Sequence, residues 1–215
     1  SHFVVWGCKG SVRMSVIATP AGLVLYSPVR LPEEAVAEIN DLGRVAAIVA
    51  PNLYHHLFLR PCIAAFPHAR VLAAPGLIEK IGAIPGAEVI SASTTFSASQ
   101  EIVHATFAGH ALRETVLYHA ATRTLVTADL IYNYGPRQFP AERLFFRAIG
   151  CYGAPKVAFY HRFAVADRAS VAAFIATVGT WDVRRIVMAH GDIIESDQAA
   201  AIFARAWAPF SAERP

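Results

Sequence analysis

Two uninterrupted apolar runs restrict the possible folds of this chain more than any other feature. They read VAAIVA at residues 45–50 and IVMA at residues 186–189. A strand without polar alternation is typical of a sheet that is covered on both faces. Stretches with helix signals flank these runs, as in PEEAVAEINDLG at residues 32–43, where proline and acidic residues open the segment and glycine closes it. The pattern therefore predicts strands that are enclosed by outer helices.

Strand-like and helix-like segments follow one another along the whole chain, without a repeat of fixed period or a linker. The order is a hairpin, a strand–helix alternation, a second group of hairpin strands, and a helix–strand–helix ending. We therefore expect one mixed α/β (α+β) domain over residues 1–215. The strands of its sheets should include residues 12–18, 45–50, 124–128 and 185–189.

Composition and charge argue against several classes of function. The chain is 55% hydrophobic and 16% charged, and its net charge of +3 is spread without a lysine or arginine block, so we expect no nucleic-acid partner. Cys8, Cys62 and Cys151 form no CxxC pair, which favours a reducing, cytoplasmic location over a zinc ribbon or a disulfide framework. We expect no membrane span, because no apolar run approaches the roughly 20 residues it needs. The first residues also lack the pattern of a signal peptide.

Polar side chains follow the apolar strands where each strand ends. His55 and His56 follow AAIVAP, His110 follows ATFAG, Asp129 follows TLVTA, and His190 follows IVMA. Loops at strand ends commonly carry the binding sites of α/β folds. Histidine and carboxylate side chains are also usual ligands of zinc and iron. These five residues are therefore the candidate site, whereas the sequence contains no GxSxG, P-loop, GxGxxG or HExxH motif.

The segments APNLYHH, AGH, TADLIYN and MAHGD follow the order of the metal-binding motifs of the metallo-β-lactamase superfamily, which the chain resembles over nearly its whole length. That family carries a His-x-His-x-Asp-His motif after a buried strand. A histidine after glycine, an aspartate at a strand end and a histidine beside glycine come later. The chain also resembles a divergent branch in which a histidine pair follows an asparagine and the later aspartate and His-Gly are kept. The resemblance implies a four-layer αββα sandwich of two similar halves, with metals at its edge.

The first motif is degenerate in this chain. When His56 is aligned with the last histidine of the motif, Pro51 and Leu53 replace its first two histidines. In the same alignment His55 replaces the aspartate. Because proline and leucine cannot bind a metal, the resemblance implies at most one ion, with this ligand set: His55, His56, Asp129 and His190. Three imidazoles and one carboxylate suit zinc, iron or nickel rather than magnesium or calcium.

Several functions fit this pattern. The first is a mononuclear metal-dependent hydrolase of an ester, amide, lactone or phosphoester, in which Asp129 orients water or acts as general base and His110 hydrogen-bonds Asp129. The second is a degenerate, metal-free member of the fold that acts as a binding or structural protein. In a third, His110, Asp129 and His190 perform acid–base chemistry without a metal. His56 and His190 could also be core histidines bonded to the backbone, and His55 could be an exposed histidine at the start of a helix. Asp129 could be a helix N-cap or a turn residue.

Residues 136–163 are aromatic and basic and fit no simple helix or strand pattern. They follow Asp129 and contain several large apolar side chains: Phe139, Leu144, Phe145, Phe146 and Tyr152. We expect this segment to cover the mouth of the site as a cap, because so apolar a patch is rarely left in water. Alternatively, it could bury a second subunit in a homodimer.

Overall fold

Strand pairing divides the molecule into two five-stranded sheets that follow a short hairpin. The computed structural model describes residues 2–5, 8–96, 101–136 and 140–211. The hairpin pairs β1 (His2–Val5) with β2 (Cys8–Ser11). The first sheet contains, in spatial and chain order, β3 (Ser15–Thr19), β4 (Gly22–Tyr26), β5 (Val45–Ala50), β6 (Arg70–Ala73) and β7 (Ala87–Val89). Its first two strands are antiparallel and the others run parallel.

The second sheet is built from the second half of the chain. It contains, again in spatial order, β8 (Ile102–Thr106), β9 (Thr115–His119), β10 (Thr124–Thr127), β11 (Arg185–Met188) and β12 (Ile194–Glu195). Within it β10 and β11 are parallel, and the other neighbours are antiparallel. The carboxyl ends of β10 and β11 therefore lie at the same edge of the sheet.

Helices cover the outer face of each sheet. The helices of the described chain are α1 (Glu33–Leu42), α2 (Leu59–Ala65), α3 (Leu77–Ile81), α4 (Pro140–Ala148), α5 (Arg168–Gly179) and α6 (Ala199–Ser211), with a 3-10 helix at Phe159–Phe163. Of these, α4 packs instead in a separate cluster with Tyr132 and Tyr134. One core cluster joins α1, α2 and α3 to the first sheet, and another joins α5 and α6 to the second. A third cluster fills the space between the sheets. These layers confirm the predicted αββα sandwich.

Alternation along each strand explains why the apolar runs needed cover on two sides. In β5, Ile48 packs with the helices and Val49 packs between the sheets. In β10, Leu125 packs against α5 and α6 while Val126 faces the first sheet. Because side chains of a strand alternate between faces, a strand in the middle of four layers buries all of them.

The predicted element bounds agree closely with the structure. The strand at residues 45–50 is exact, those predicted at 124–128 and 185–189 end one residue earlier, and the first begins at Ser15 rather than residue 12. Helix α2 begins at Leu59 and contains Pro61 in its first turn. Proline is tolerated there because the first turn of a helix has no N–H partner to lose.

The described parts of residues 136–163 form α4, the 3-10 helix and the strand-like bridges between them. Phe146 of α4 is buried against Tyr134, with their rings stacked at 3.6 Å. Phe139 lies outside the described residues. In the part of the chain that is described, no helix is long and apolar enough to cross a bilayer.

Candidate metal centre

Strands of both sheets end at one edge of the sandwich, where they bring three polar side chains together. His55 lies in the loop after β5 of the first sheet, while Asp129 and His190 follow β10 and β11 of the second. His55 Nε2 lies 3.2 Å from Asp129 Oδ2, and His190 Nε2 lies 3.1 Å from Asp129 Oδ1. The two imidazole nitrogens are 3.3 Å apart. Each sheet thus supplies part of one cluster.

Two side chains orient the His55 ring and its loop. Ser27 Oγ lies 2.6 Å from His55 Nδ1, which leaves Nε2 directed toward Asp129. Ser27 is fully buried and has a positive φ of 63°, an unfavourable conformation for a residue other than glycine and one that is concentrated at functional sites. Asn52 Oδ1 accepts hydrogen bonds from the backbone N–H groups of Tyr54 and His55, each at 2.8 Å. The loop is therefore held by its own turn and by the end of β4.

A second carboxylate, that of Glu114, lies fully buried beside Asp129. It accepts four hydrogen bonds, of 2.5 to 2.9 Å, from these donors: Asn52 Nδ2, Thr127 Oγ1, and the backbone N–H groups of Ala128 and Asp129. Burial and the Asp129 carboxylate raise the pKa of Glu114, whereas these donors favour its ionised form. Asn52 Nδ2 also donates to Asp129 Oδ2 at 2.9 Å. Glu114 and Asn52 together fix the backbone and the carboxylate of Asp129.

A directed chain of hydrogen bonds approaches Asp129 from the opposite side. The Leu112 N–H donates to His110 Nδ1 at 3.2 Å, so the proton of neutral His110 lies on Nε2, which is 3.0 Å from His161 Nδ1. Burial lowers the pKa of His110 to about 3 and that of His161 to about 4, so both rings are neutral. His161 Nε2 then faces the Tyr132 hydroxyl at 3.4 Å, and this hydroxyl lies 3.5 Å from Asp129 Oδ1.

The turn after β11 holds His190 in place. The Arg13 guanidinium donates to the carbonyl oxygens of Met188 at 2.7 Å and Gly191 at 3.0 Å. Gly191 has a φ of 96°, and a Cβ at this position would lie 2.4 Å from the carbonyl oxygen of Asn133. Only glycine allows the two backbone segments to approach so closely. His190 is therefore presented by a rigid, closely packed turn.

Charge within the cluster is balanced between the carboxylate and the imidazoles. Burial opposes ionisation of Asp129, but His55 and His190 hold the pKa of its carboxyl well below the usual range. Burial likewise favours neutral His55, yet the Asp129 carboxylate outweighs it and raises the pKa of His55. Asp129 is thus an anion at neutral pH, and it attracts a cation to this position.

The structure brings together three of the four predicted metal ligands. His55, Asp129 and His190 form a potential metal-binding group, and His56 does not belong to it. His56 is partly exposed, and its pKa is lowered by partial burial and by the Lys80 ammonium group. The two histidines are adjacent, and the turn built on Asn52 directs His55 inward. The structure therefore places His55, but not His56, among the candidate ligands.

The spacing of the three donor atoms fits a metal ion. Ligands of a tetrahedral zinc ion at bond lengths of about 2.0 Å lie about 3.3 Å from one another. The two imidazole Nε2 atoms lie 3.3 Å apart, and each lies 3.1 to 3.2 Å from a different oxygen of Asp129. One donor atom from each of the three residues lies within 4.8 Å of the others. Ser27 beside His55 Nδ1 is the kind of outer contact that orients a metal-binding imidazole. Two imidazoles and one carboxylate also form the ligand set found with three-ligand catalytic zinc and with non-haem iron.

The cluster opens into a cavity of about 600 Å³. Segment 136–163 contributes Phe145, Phe146 and Tyr160 to its walls, and the first sheet and its loops contribute Val29 and Leu57. Such a volume is within the range of about 300–1,000 Å³ that is usual for small-molecule sites. The cluster therefore has an adjacent space in which a ligand could lie.

Several residues of this site were not anticipated from the sequence: Ser27, Glu114, Tyr132 and His161. Each acts by contact with a residue that is distant along the chain, as Ser27 does with His55 and His161 with His110. His161 lies in residues 136–163, which fit no simple helix or strand pattern. The one local signal was an acidic residue, Glu114, at the start of an apolar strand, which is an unfavourable place for an unpaired carboxylate.

Comparisons of sequence identify no matching family model and no matching curated protein. Comparison of the fold finds metallo-β-lactamases, among them DIM-1 exposed to ceftazidime, with a TM-score of 0.64, 11% identity and coverage of 97% of this chain and 90% of that chain. The metallo-β-lactamase from Pontibacter korlensis has a TM-score of 0.62 and 15% identity, with coverage of 96% and 91%. A peroxy diiron species of the chemotaxis sensor ODP has a TM-score of 0.64 and 14% identity, with coverage of 95% and 88%. The chain therefore has the metallo-β-lactamase fold.

Proposed function

We propose that this protein is a mononuclear metal-dependent hydrolase. The observation that carries the proposal is the Asp129 carboxylate held between His55 Nε2 and His190 Nε2 at 3.2 and 3.1 Å. The three residues would hold one divalent ion, zinc or iron, and leave a coordination position open toward the cavity. Pro51 and Leu53, which replace two histidines of the family motif, cannot complete a second site.

A divalent ion at this position would supply a Lewis acid and acidify water toward neutral pH. The chain itself orients Asp129 through Glu114 and Asn52, and it places hydroxyl groups beside the cluster. Tyr160 Oη lies 2.9 Å from Tyr132 Oη. Burial raises the pKa of Tyr160 to about 12, so this hydroxyl keeps its proton at neutral pH and can donate a hydrogen bond to a substrate oxygen.

His110 has a supporting role in this proposal. It is neutral and buried, and it reaches Asp129 through His161 and Tyr132 rather than by direct contact. A ring with a pKa of about 3 is a poor base at neutral pH. We therefore assign His110 to the positioning of Tyr132, and Asp129 to metal binding and the orientation of water.

The alternative is a metal-free binding protein with the same fold. It is favoured by one observation: both oxygens of Asp129 already have partners, because Asn52, His55 and His190 lie within hydrogen-bonding distance. The cluster could therefore be stable without an ion. Metal content separates this alternative from the hydrolase.

The decisive experiment is elemental analysis of protein purified without chelator. We expect no more than one zinc or iron ion per chain in the wild type. His55→Ala and His190→Ala should lose this ion, whereas His56→Ala should keep it, because His56 lies outside the ligand group. The adjacent histidine is a matched control for charge, loop position and expression.

Each result has a clear reading. Two ions per chain would contradict the mononuclear site. Loss of the ion in His56→Ala would show that His56 is a metal ligand. If wild-type protein binds no zinc or iron even when the metal is supplied in excess, the metal-free alternative holds. Hydrolysis by the metal-loaded protein, abolished in His55→Ala and retained in His56→Ala, would complete the case for an enzyme.

A further inference from the structure

We propose that the substrate is a neutral carboxylic ester with an apolar acyl chain, an inference that rests on the proposed hydrolase function. Water adds to the carbonyl carbon and the bond to the alkoxy oxygen breaks, which yields a carboxylic acid and an alcohol. This choice separates esters with apolar chains from phosphoesters and from substrates that carry a charge. It follows from the walls of the cavity rather than from the metal ligands.

Most of the cavity wall beyond the cluster is apolar, although histidine and tyrosine side chains also contribute to it. Aliphatic side chains line it from several elements, including Val12, Val29, Leu57, Leu112 and Ile149. Leu112 and Val29 are buried, with 8 and 9% exposure, whereas Leu57 is 73% exposed. The apolar lining therefore runs from the interior to the surface. A hydrocarbon chain placed along it would leave water without losing any hydrogen bond.

Near-parallel aromatic rings form one side of this path. The His190 and Tyr132 rings lie 5.8 Å apart, Tyr132 and Tyr134 lie 6.2 Å apart, and Tyr134 and Phe146 stack at 3.6 Å. All four residues line the cavity. The column therefore extends from the metal centre to α4 of the cap segment. A flat apolar wall beside the reacting group suits an extended acyl chain.

No lysine or arginine lines the cavity in the described part of the chain. Enzymes that bind phosphoryl groups or carboxylates usually present such cations, with arginine giving bidentate contacts. A negatively charged group of the substrate, buried against these walls, would remain unpaired, which is unfavourable. The one positive centre would be the ion itself, and the carbonyl group of a neutral ester can lie beside it without introducing a net charge.

The test compares four p-nitrophenyl substrates with the zinc- or iron-loaded protein: the butyrate, the octanoate, the hemisuccinate, and bis(p-nitrophenyl) phosphate. The hemisuccinate has the chain length of the butyrate and ends in a carboxylate. We expect kcat/KM to rise from butyrate to octanoate by up to about fourfold for each methylene that becomes buried. We expect the hemisuccinate and the phosphodiester to be turned over at least tenfold more slowly than the butyrate.

A variant and a binding measurement make the test specific. Leu57→Arg places a cation at the exposed rim, and Leu42→Arg is the control, because Leu42 is 68% exposed on α1 and does not line the cavity. Leu57→Arg should lower kcat/KM for the octanoate about fivefold or more. It should also reduce the ratio of kcat/KM for the octanoate to kcat/KM for the hemisuccinate. Calorimetry of metal-free protein should show binding of 2-decanone, weakened in Leu57→Arg and unchanged in Leu42→Arg.

The outcomes distinguish the two proposals. Preference for the phosphodiester or the hemisuccinate would overturn the ester assignment and leave the hydrolase in place. Absence of 2-decanone binding would also overturn the assignment, because it would show that the cavity does not accept an apolar chain. No turnover of any of the four substrates by metal-loaded protein would overturn the ester assignment, whereas the hydrolase is overturned separately, by a wild type that binds no zinc or iron.

Discussion

At the scale of single residues, the buried Glu114 carboxylate is the clearest example of a group that acts through another. Glu114 does not itself line the cavity. It accepts four hydrogen bonds, one of them from the backbone of Asp129. We expect Glu114→Gln to lower the free energy of unfolding by about 2–3 kcal/mol. The NH2 group of the new amide cannot accept hydrogen bonds from the donors that surround the native carboxylate. Denaturant unfolding measures this change.

A surface residue provides the control for Glu114→Gln. Glu88 pairs with Arg70 where both side chains are nearly half exposed. Its replacement by glutamine should change the free energy of unfolding by no more than about 1 kcal/mol. Glu114→Gln should also weaken metal binding, whereas Glu88→Gln should not. Equal effects of the two substitutions would show that the four donors at Glu114 are energetically unimportant.

The buried histidines predict how stability depends on pH. The pKa values of His110 and His161 are about 3 and about 4 in the folded protein, and about 6.5 is ordinary for histidine in an unfolded chain. Between these values the unfolded state binds more protons, so stability is complete above about pH 6.5 and is lost as pH falls. We expect these two histidines to contribute a slope of about 2 kcal/mol per pH unit between pH 6 and 4.5, measured in chelator.

His161→Phe tests which group causes this slope. The variant removes one of the two buried imidazoles, so its slope should be smaller than that of the wild type whatever its absolute stability. A slope that stays the same would assign the acid sensitivity to other groups. The comparison uses slopes because the loss of the hydrogen bond to His110 also changes stability at every pH.

The sequence predicts a site residue only where the role of that residue depends on its neighbours along the chain. Asp129 and His190 follow buried strands by one or two positions, so strand ends were sufficient to find them. The choice between His55 and His56 depends on a turn whose hydrogen bonds to Asn52 are not visible in a periodic pattern. His161 could not be assigned, because its partner is 51 positions away along the chain.

At the scale of elements, the end of β11 is the most constrained feature. A Cβ on Gly191 would collide with the backbone of Asn133, which cannot move as a flexible side chain would. We expect Gly191→Ala to destabilise the protein by several kcal/mol and to weaken metal binding at least tenfold, because His190 would be displaced. Thermal unfolding and metal titration of the same samples measure both effects.

Gly179→Ala is the matched control for that substitution. Gly179 is the last residue of α5, and a Cβ there would meet no atom within 4 Å. Alanine should therefore leave stability unchanged or raise it slightly, since glycine is a poor helix former. Tolerance of Gly191→Ala equal to that of Gly179→Ala would show that the turn after β11 is adaptable.

Elements were easier to predict than the contacts between them. The apolar runs of β5 and β11 follow local rules that are visible in the sequence. The same is true of Asp167, the N-cap of α5, which accepts hydrogen bonds from the N–H groups of Ala169 and Ser170. Residues 136–163 do not follow such rules. The helix α4 and the 3-10 helix are held by the Tyr134–Phe146 stack and by bridges to distant residues, so their conformation depends on packing.

At the scale of the whole molecule, the candidate metal centre joins the two sheets. His55 belongs to the first sheet, and Asp129 and His190 belong to the second. An ion bound there stabilises the folded state by about 2.7 kcal/mol when its free concentration is 100 times Kd. We expect zinc or iron to raise the melting temperature of the wild type and of His56→Ala, and to leave that of His55→Ala unchanged. A rise in all three would indicate binding elsewhere.

The division of the chain between the sheets has a kinetic consequence. The first sheet uses residues 15–89 and the second uses residues 102–195, so each can form from contacts that are close in sequence. We expect contacts between the sheets to form after each sheet, so that an ion that bridges the sheets would bind after the folding barrier is crossed. Metal at 100 times Kd should accordingly slow unfolding about 100-fold and leave the refolding rate unchanged. The ion would prolong the lifetime of the folded state without guiding the chain to it.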